Sequence, residues 1–162
     1  MTGPVVVGVG SNIDPEHHVA TALEELRARG LELEVSPWYR SPAIGLREGA
    51  GDFINLAVLF AWSRPVADLK ALLRRVEEAH GRTRLPSGRW ISRTLDLDLL
   101  VARNLIDPAL KLPHPDLGRF AHVAVPVADL IGSHTHPQLG CTYAQLAARL
   151  DASALKRIEV AL

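Results

Sequence analysis

Two apolar runs, Leu31 to Val35 and Phe53 to Ala61, follow one another with no helical pattern between them. Leu31-Glu32-Leu33-Glu34-Val35 alternates strictly, as a strand with one wet face does, and Phe53 to Ala61 is apolar enough for an interior strand. Strands joined without a crossover helix pair antiparallel. The connection, Ser41 to Gly51, holds three glycines and a proline, too many for a regular element.

The flanking segments extend this constraint. Val5-Val6-Val7-Gly8-Val9 is a β-branched run ending in Gly10, Ser11 and Asn12, which marks a buried first strand. Asp14 is a natural N-cap, Pro15 suits a first helical position, Glu16 favours the positive end of the dipole, and Val19, Leu23 and Leu26 share a face until Gly30. Pro65 opens a second helix whose Val66, Leu69, Leu72, Leu73 and Val76 line one side as far as Gly81. Leu95 to Val101 alternates again; a helix at Tyr143 to Leu150 and a strand at Leu155 to Val160 complete the reading. The order β, α, β, β, α, β predicts an α+β fold with a ferredoxin-like core: a mostly antiparallel sheet with helices packed on it. Residues 104–140, with five prolines and four of the seven histidines, show no readable period. With no repeat and no linker, residues 1–162 read as a single domain.

Composition narrows the function classes. The 18 basic and 18 acidic residues cancel, which argues against a chain-wide field for nucleic acid or anionic lipid. The longest apolar stretch, Leu56 to Trp62, is far short of the roughly 20 residues of a membrane helix, and Met1 to Gly10 has no cationic start before its valines. A single cysteine, Cys141, can form neither an internal disulfide nor a multi-thiolate zinc site. A cytoplasmic protein is the expectation.

Charge is concentrated in one place. Gly81 to Thr94 carries Arg82, Arg84, Arg89 and Arg93 with no acid among them, and guanidinium forks match phosphate oxygens. A solvated charge run is the plain alternative. The next residues are Leu95-Asp96-Leu97-Asp98-Leu99-Leu100. On a strand, Asp96 and Asp98 project from one face with Cα atoms roughly 6.5 to 7 Å apart, while the leucines take the other. Two carboxylates so placed can share one magnesium ion or bridge a pair roughly 4 Å apart, with substrate phosphates supplying further oxygens. No Walker sequence is present, and Gly8-Val9-Gly10 lacks the third glycine of a dinucleotide fingerprint. An arginine-rich loop beside paired aspartates suits a nucleoside triphosphate.

Six blocks together resemble the 6-hydroxymethyl-7,8-dihydropterin pyrophosphokinase family. They are Gly10-Ser11-Asn12, Phe53-Ile54-Asn55, the run Glu77 to Arg84, Arg89-Trp90, Arg93-Thr94-Leu95-Asp96-Leu97-Asp98 and Leu112-Pro113-His114-Pro115. The resemblance spans roughly residues 5–130, and it implies a ferredoxin-like fold with mobile catalytic loops. It also implies transfer of pyrophosphate from ATP to the hydroxymethyl group of the pterin in folate synthesis, releasing AMP. By that likeness, Asp96 and Asp98 hold two magnesium ions, and Arg82 and Arg93 contact the transferring group. Glu77, Arg84, Trp90, His114 and Arg119 serve ATP. Asn55 bonds the polar edge of the pterin, Phe53 stacks on its face, and Ile44 and Gly45 complete that pocket with Phe120 and His122. Other folate-pathway enzymes are the implied partners.

Two stretches depart from the family pattern. Ile91-Ser92 stands where the family has Gly-Pro, which bears on how the loop closes. Counted from His114, the family's arginine position holds Phe120 and its second aromatic position holds His122. Either Arg119 and Phe120 recover those roles by a local shift, or His122 stacks instead. Two competing functions follow: a paralogue acting on another hydroxylated heterocycle, and a non-catalytic domain that binds a polyanion. His134-Thr135-His136 reads as a loop feature, His17 and His18 as a polar helix face, and Trp38 and Trp62 as packing. Asn55, inside an apolar strand, needs polar partners and so reads as ligand-facing.

Overall fold

The centre of the fold is the strand β1, Gly3–Ser11, flanked by β4 (Phe53–Trp62) on one side and β5 (Asp96–Ala102) on the other. The computed structural model describes residues 3–42, 51–81 and 95–160. Beyond β4 lie β3 (Trp38–Ser41) and β6 (Lys156–Ile158), and the two-residue β2 (Glu34–Val35) also pairs with β4. The sheet order is β5-β1-β4-β3-β6, antiparallel at every pairing. Helices α1 (Pro15–Ala28) and α2 (Val66–Ala79) complete the expected βαββαβ core. Segments 43–50 and 82–94, where the mobile catalytic loops are expected, lie outside the described residues.

Alternation sorts side chains between the two faces of the sheet. Val5, Val7 and Val9 of β1, with Ile54, Leu56 and Val58 of β4, meet Val19, Leu23 and Leu26 of α1 and Leu69, Leu73 and Val76 of α2. Leu95, Leu97 and Leu99 join them from β5 and its entry. Removing a leucine side chain from water in such a layer contributes about 1.5–3 kcal/mol. The opposite face packs Val6, Ala57, Leu100 and Val101 under α3 (Ala121–Ile131) and α4 (Tyr143–Ala148). A register shift between Val6 and Val7 lets Leu100 and Val101 both face this second layer, as a β-bulge does.

Several expectations are corrected. The strand read at Leu31 to Val35 shortens to Glu34–Val35, and β3 follows unannounced. Between them the Ser36 hydroxyl accepts the Ala57 N–H at 2.9 Å, and Pro37 has no N–H to offer, so the ladder breaks before resuming at Trp38. The unreadable stretch contains α3, whose interior Pro126 and β-branched valines conceal the helix from propensity. The last helix ends at Ala148, and the last strand is limited to Lys156–Ile158. Asp14 does stand at the N-cap, but in a left-handed conformation with φ 44°, and its side chain caps nothing. His18 is not a plain polar-face residue: its Nδ1 lies 2.7 Å from His80 Nδ1, tying α1 to the end of α2, while His80 Nε2 lies 3.0 Å from Glu25 Oε1. Trp38 and Trp62 are core residues, with the Arg64 guanidinium over the Trp62 ring. His136 organises a turn, its Nδ1 accepting from the Gln138 and Leu139 N–H groups. Among the described residues, no helix is long and apolar enough to cross a membrane.

Candidate active site

The face of the sheet away from α1 and α2 is not fully covered. Beyond the α3 layer it opens into a cavity of about 670 Å³. Register builds the floor. Gly10 of β1 lies between Asn55 of β4 and Asp96 of β5, and Gly8 between Ala57 and Asp98. With no side chain on the middle strand, those of the flanking strands lean across it. A Cβ on Gly10 would come within 2.9 Å of Asn55 Oδ1, and one on Gly8 within 3.0 Å of Leu100 Cδ1. A side chain at either position would have to displace Asn55 or Leu100.

Asp96 and Asp98 both line the cavity, while Leu95, Leu97 and Leu99 face the helices, as alternation requires. Phe53 and Asn55 line it from β4, and Asn55 Nδ2 donates to Ser41 Oγ at 3.2 Å, which orients the amide. Two carboxylates over a strip of glycine backbone form a hard-oxygen donor set of the kind magnesium takes. No group of three or more histidine, cysteine or acidic side chains among the described residues is placed to hold a metal. Phosphate oxygens and water are the further ligands that magnesium takes beside a pair of carboxylates.

The wall comes from the segment between β5 and α3. The His114 N–H donates to the Leu100 carbonyl at 2.9 Å, fastening this segment to the end of β5. His114 Nδ1 accepts the Asp116 N–H at 3.1 Å, so the neutral ring carries its proton on Nε2. Burial lowers the pKa of His114 below the ordinary 6.5; Asp116 opposes this most, and Lys111 adds to it. Arg119, Phe120 and His122 line the cavity as well. The Phe120 and His122 rings stack with centroids 5.3 Å apart and planes 24° apart. Burial lowers the pKa of His122 too, against the pull of Asp116 and Asp96.

Glu77 stands apart from this group. It is buried on α2 and does not line the cavity; its Oε2 accepts the Leu97 N–H at 2.9 Å. Since β5 is the edge of the sheet, this bond covers a backbone donor that the ladder leaves open. Ile44, Gly45, Arg82, Arg84, Trp90 and Arg93 lie outside the described residues. The cavity also brings in Lys111, Asp116 and the C-terminal Leu150, Asp151 and Leu155, none of which the sequence reading singled out. Lys111 and Asp116 flank Leu112-Pro113-His114-Pro115, so that block was their signal; the C-terminal residues had none.

Residues 6–132 match the family described as 7,8-dihydro-6-hydroxymethylpterin-pyrophosphokinase (HPPK), a span that includes the whole floor of the cavity. The chain belongs to the HPPK family. It is 37% identical to the 2-amino-4-hydroxy-6-hydroxymethyldihydropteridine pyrophosphokinase of Synechocystis sp., over 93% of this chain and 77% of that protein. It is 35% identical to the enzyme of that name from Pseudomonas aeruginosa, over 78% of this chain and 79% of the relative. The Bacillus subtilis protein of the same name is 33% identical, over 80% and 79%. The helix α4 and strand β6 lie beyond residues 6–132, so the C-terminal residues that line the cavity fall outside the span of the family match.

Proposed function

We propose that this HPPK-family chain transfers pyrophosphate from ATP to the hydroxymethyl group of 6-hydroxymethyl-7,8-dihydropterin, releasing AMP, in folate synthesis. One observation carries the reading: Asp96 and Asp98 face the same cavity as Asn55 and Phe53, across a glycine strip that leaves room for a ligand. Family membership supports the reaction type. The hydroxymethyl oxygen forms a bond to the β-phosphorus in line as the bond from that phosphorus to the α,β-bridging oxygen breaks. The hydroxyl proton leaves, and AMP departs with the bridging oxygen. Such a transfer needs positioning and charge stabilisation rather than a covalent intermediate.

Asp96 and Asp98 would hold two magnesium ions, whose chemistry is to neutralise phosphate charge. Asn55 bonds the polar edge of the pterin, its amide already oriented by Ser41. Phe53, Phe120 and His122 all line the cavity and offer faces for a flat ring, which fits His122 in the second aromatic role. His114 presents an Nε2–H to the nucleotide, Arg119 adds charge, and Glu77 acts indirectly by holding β5 in place. Arg82, Arg84, Trp90 and Arg93 serve the phosphates, and Ile44 and Gly45 the pterin, by family likeness. We place this single-domain enzyme in the cytoplasm, with other folate-pathway enzymes as its partners. The test is to mix protein, ATP, magnesium and the pterin and to resolve the nucleotides. AMP formed in step with pyrophosphorylated pterin is the expected result. Release of ADP, or turnover only with a different hydroxylated heterocycle, would overturn the proposal.

A further inference from the structure

We infer that Lys111 is a nucleotide-phosphate contact of this cavity, kept at its rim in a backbone conformation that lysine does not favour. The inference rests on the pyrophosphokinase reading of the site. Asp107 and Leu112 close a short loop through two backbone hydrogen bonds, N–H of Asp107 to O of Leu112 at 2.9 Å and the reverse at 3.0 Å. Inside it, Pro108–Leu110 makes a 3₁₀ turn whose Ala109 and Leu110 N–H groups are accepted by Asp107 Oδ1. To return from that turn the chain passes through φ 56°, ψ 49° at Lys111. Glycine or asparagine is the ordinary occupant of such a position, since a β-carbon there crowds the backbone. A lysine held in this conformation beside a cavity points to use of its side chain.

The surroundings identify what the side chain is for. Lys111 lines the cavity together with His114, and its charge reaches that ring. Among the described residues, no carboxylate lies within ion-pair distance of its ammonium; Asp107, the nearest acid in sequence, accepts the Ala109 and Leu110 N–H groups, and Asp116 approaches His114 at 3.8 Å. An exposed cation on the wall of a site with a hydrogen-bond donor beside it suits an oxyanion. The anionic part of the proposed substrates is the phosphate chain of ATP, whereas the pterin is flat and uncharged. A lysine serves phosphate as a point charge, without the planar fork of arginine.

The experiment compares Lys111→Met, which keeps the stem and the backbone strain but removes the charge, with Lys111→Gly, which removes both. Lys156→Met, at an exposed position of β6 that does not line the cavity, is the control. Both Lys111 variants should raise KM for ATP about tenfold, as loss of one charged hydrogen bond does, with a smaller fall in kcat and little change in KM for the pterin. The dissociation constant of a non-hydrolysable ATP analogue with magnesium should rise by the same factor. The thermal midpoint of Lys111→Gly should equal or exceed that of the wild type, a result opposite to the one a purely structural lysine would produce. Unchanged analogue affinity in both variants, while the wild type makes AMP, refutes the phosphate contact and keeps the reaction. A wild type that makes no AMP, with analogue binding still weakened in both variants, refutes the reaction and keeps the contact.

Discussion

The two faces of the sheet are built from the same strands and obey opposite rules. On the α1/α2 face, the inward residues Val5, Val7 and Val9 of β1 and Ile54, Leu56, Val58, Phe60 and Trp62 of β4 are apolar and pack into one core with the helix stripes. On the other face the same strands present Gly8, Gly10, Asn55, Asp96 and Asp98, and the helices stop short of covering them. One face spends its residues on burial, while the other forgoes burial to leave a space bordered by charge. A single strand, β5, contains the whole contrast: its odd-numbered leucines hold the fold and its even-numbered aspartates face the cavity.

The sharpest way to break that contrast is to mutate alternate positions of β5. Asp96→Ala or Asp98→Ala should lower the rate of AMP release about a hundredfold or more while leaving the denaturation midpoint near that of the wild type. Leu97→Ala or Leu99→Ala should do the reverse, costing about 2–4 kcal/mol in denaturant melts. Aspartate variants that unfold, or leucine variants that lose only turnover, would erase the division. A smaller effect is expected at β1. Gly10→Ala places a methyl group 2.9 Å from Asn55 Oδ1 and should displace that amide, raising KM for the pterin about tenfold and KM for ATP less. Its neighbour Val9→Ala should act on stability alone, by about 0.5–3 kcal/mol. Equal KM values for glycine and alanine at position 10 would show that the floor tolerates a side chain.

The smallest effect concerns protons, and it extends the comparison to the rest of the chain. Burial lowers the pKa of His18 and His136, both away from the cavity, and of His114 and His122, which line it. For each, the unfolded chain binds protons more readily between the ordinary 6.5 and the lower folded value. Their contribution to stability is complete above pH 6.5 and is lost as the pH falls through that window. Thermal midpoints should therefore be lower at pH 5.5 than at pH 7.5. His136→Asn should reduce the dependence, because protonating Nδ1 of His136 removes the acceptor for two backbone N–H groups. A flat profile would contradict the buried, neutral state of these rings.

Much of this was legible in one dimension. The period of two along Leu95 to Leu100 placed the aspartates opposite the leucines, and the helical stripes of α1 and α2 followed from Val19, Leu23, Leu26 and Leu69, Leu73, Val76. What failed to show has identifiable causes. Pro126 and the valines around it concealed α3, and Ser36-Pro37 split a strand that alternation alone would have continued. Glu77 reads as a solvated or nucleotide-facing acid until β5 is seen to be an edge whose Leu97 N–H needs an acceptor.

Local order is set by forces that act between near neighbours, so strand alternation and the apolar faces of α1 and α2 were the sequence's own decision. The cavity was not. Gly10, Asn55 and Asp96 meet only because antiparallel pairing brings distant parts of the chain into register, and the aromatic wall meets them only because α3 docks across the same face. Register and docking minimise the free energy of the whole fold rather than of any segment. For that reason the residues that make a space, as opposed to those that fill one, were decided by the tertiary structure.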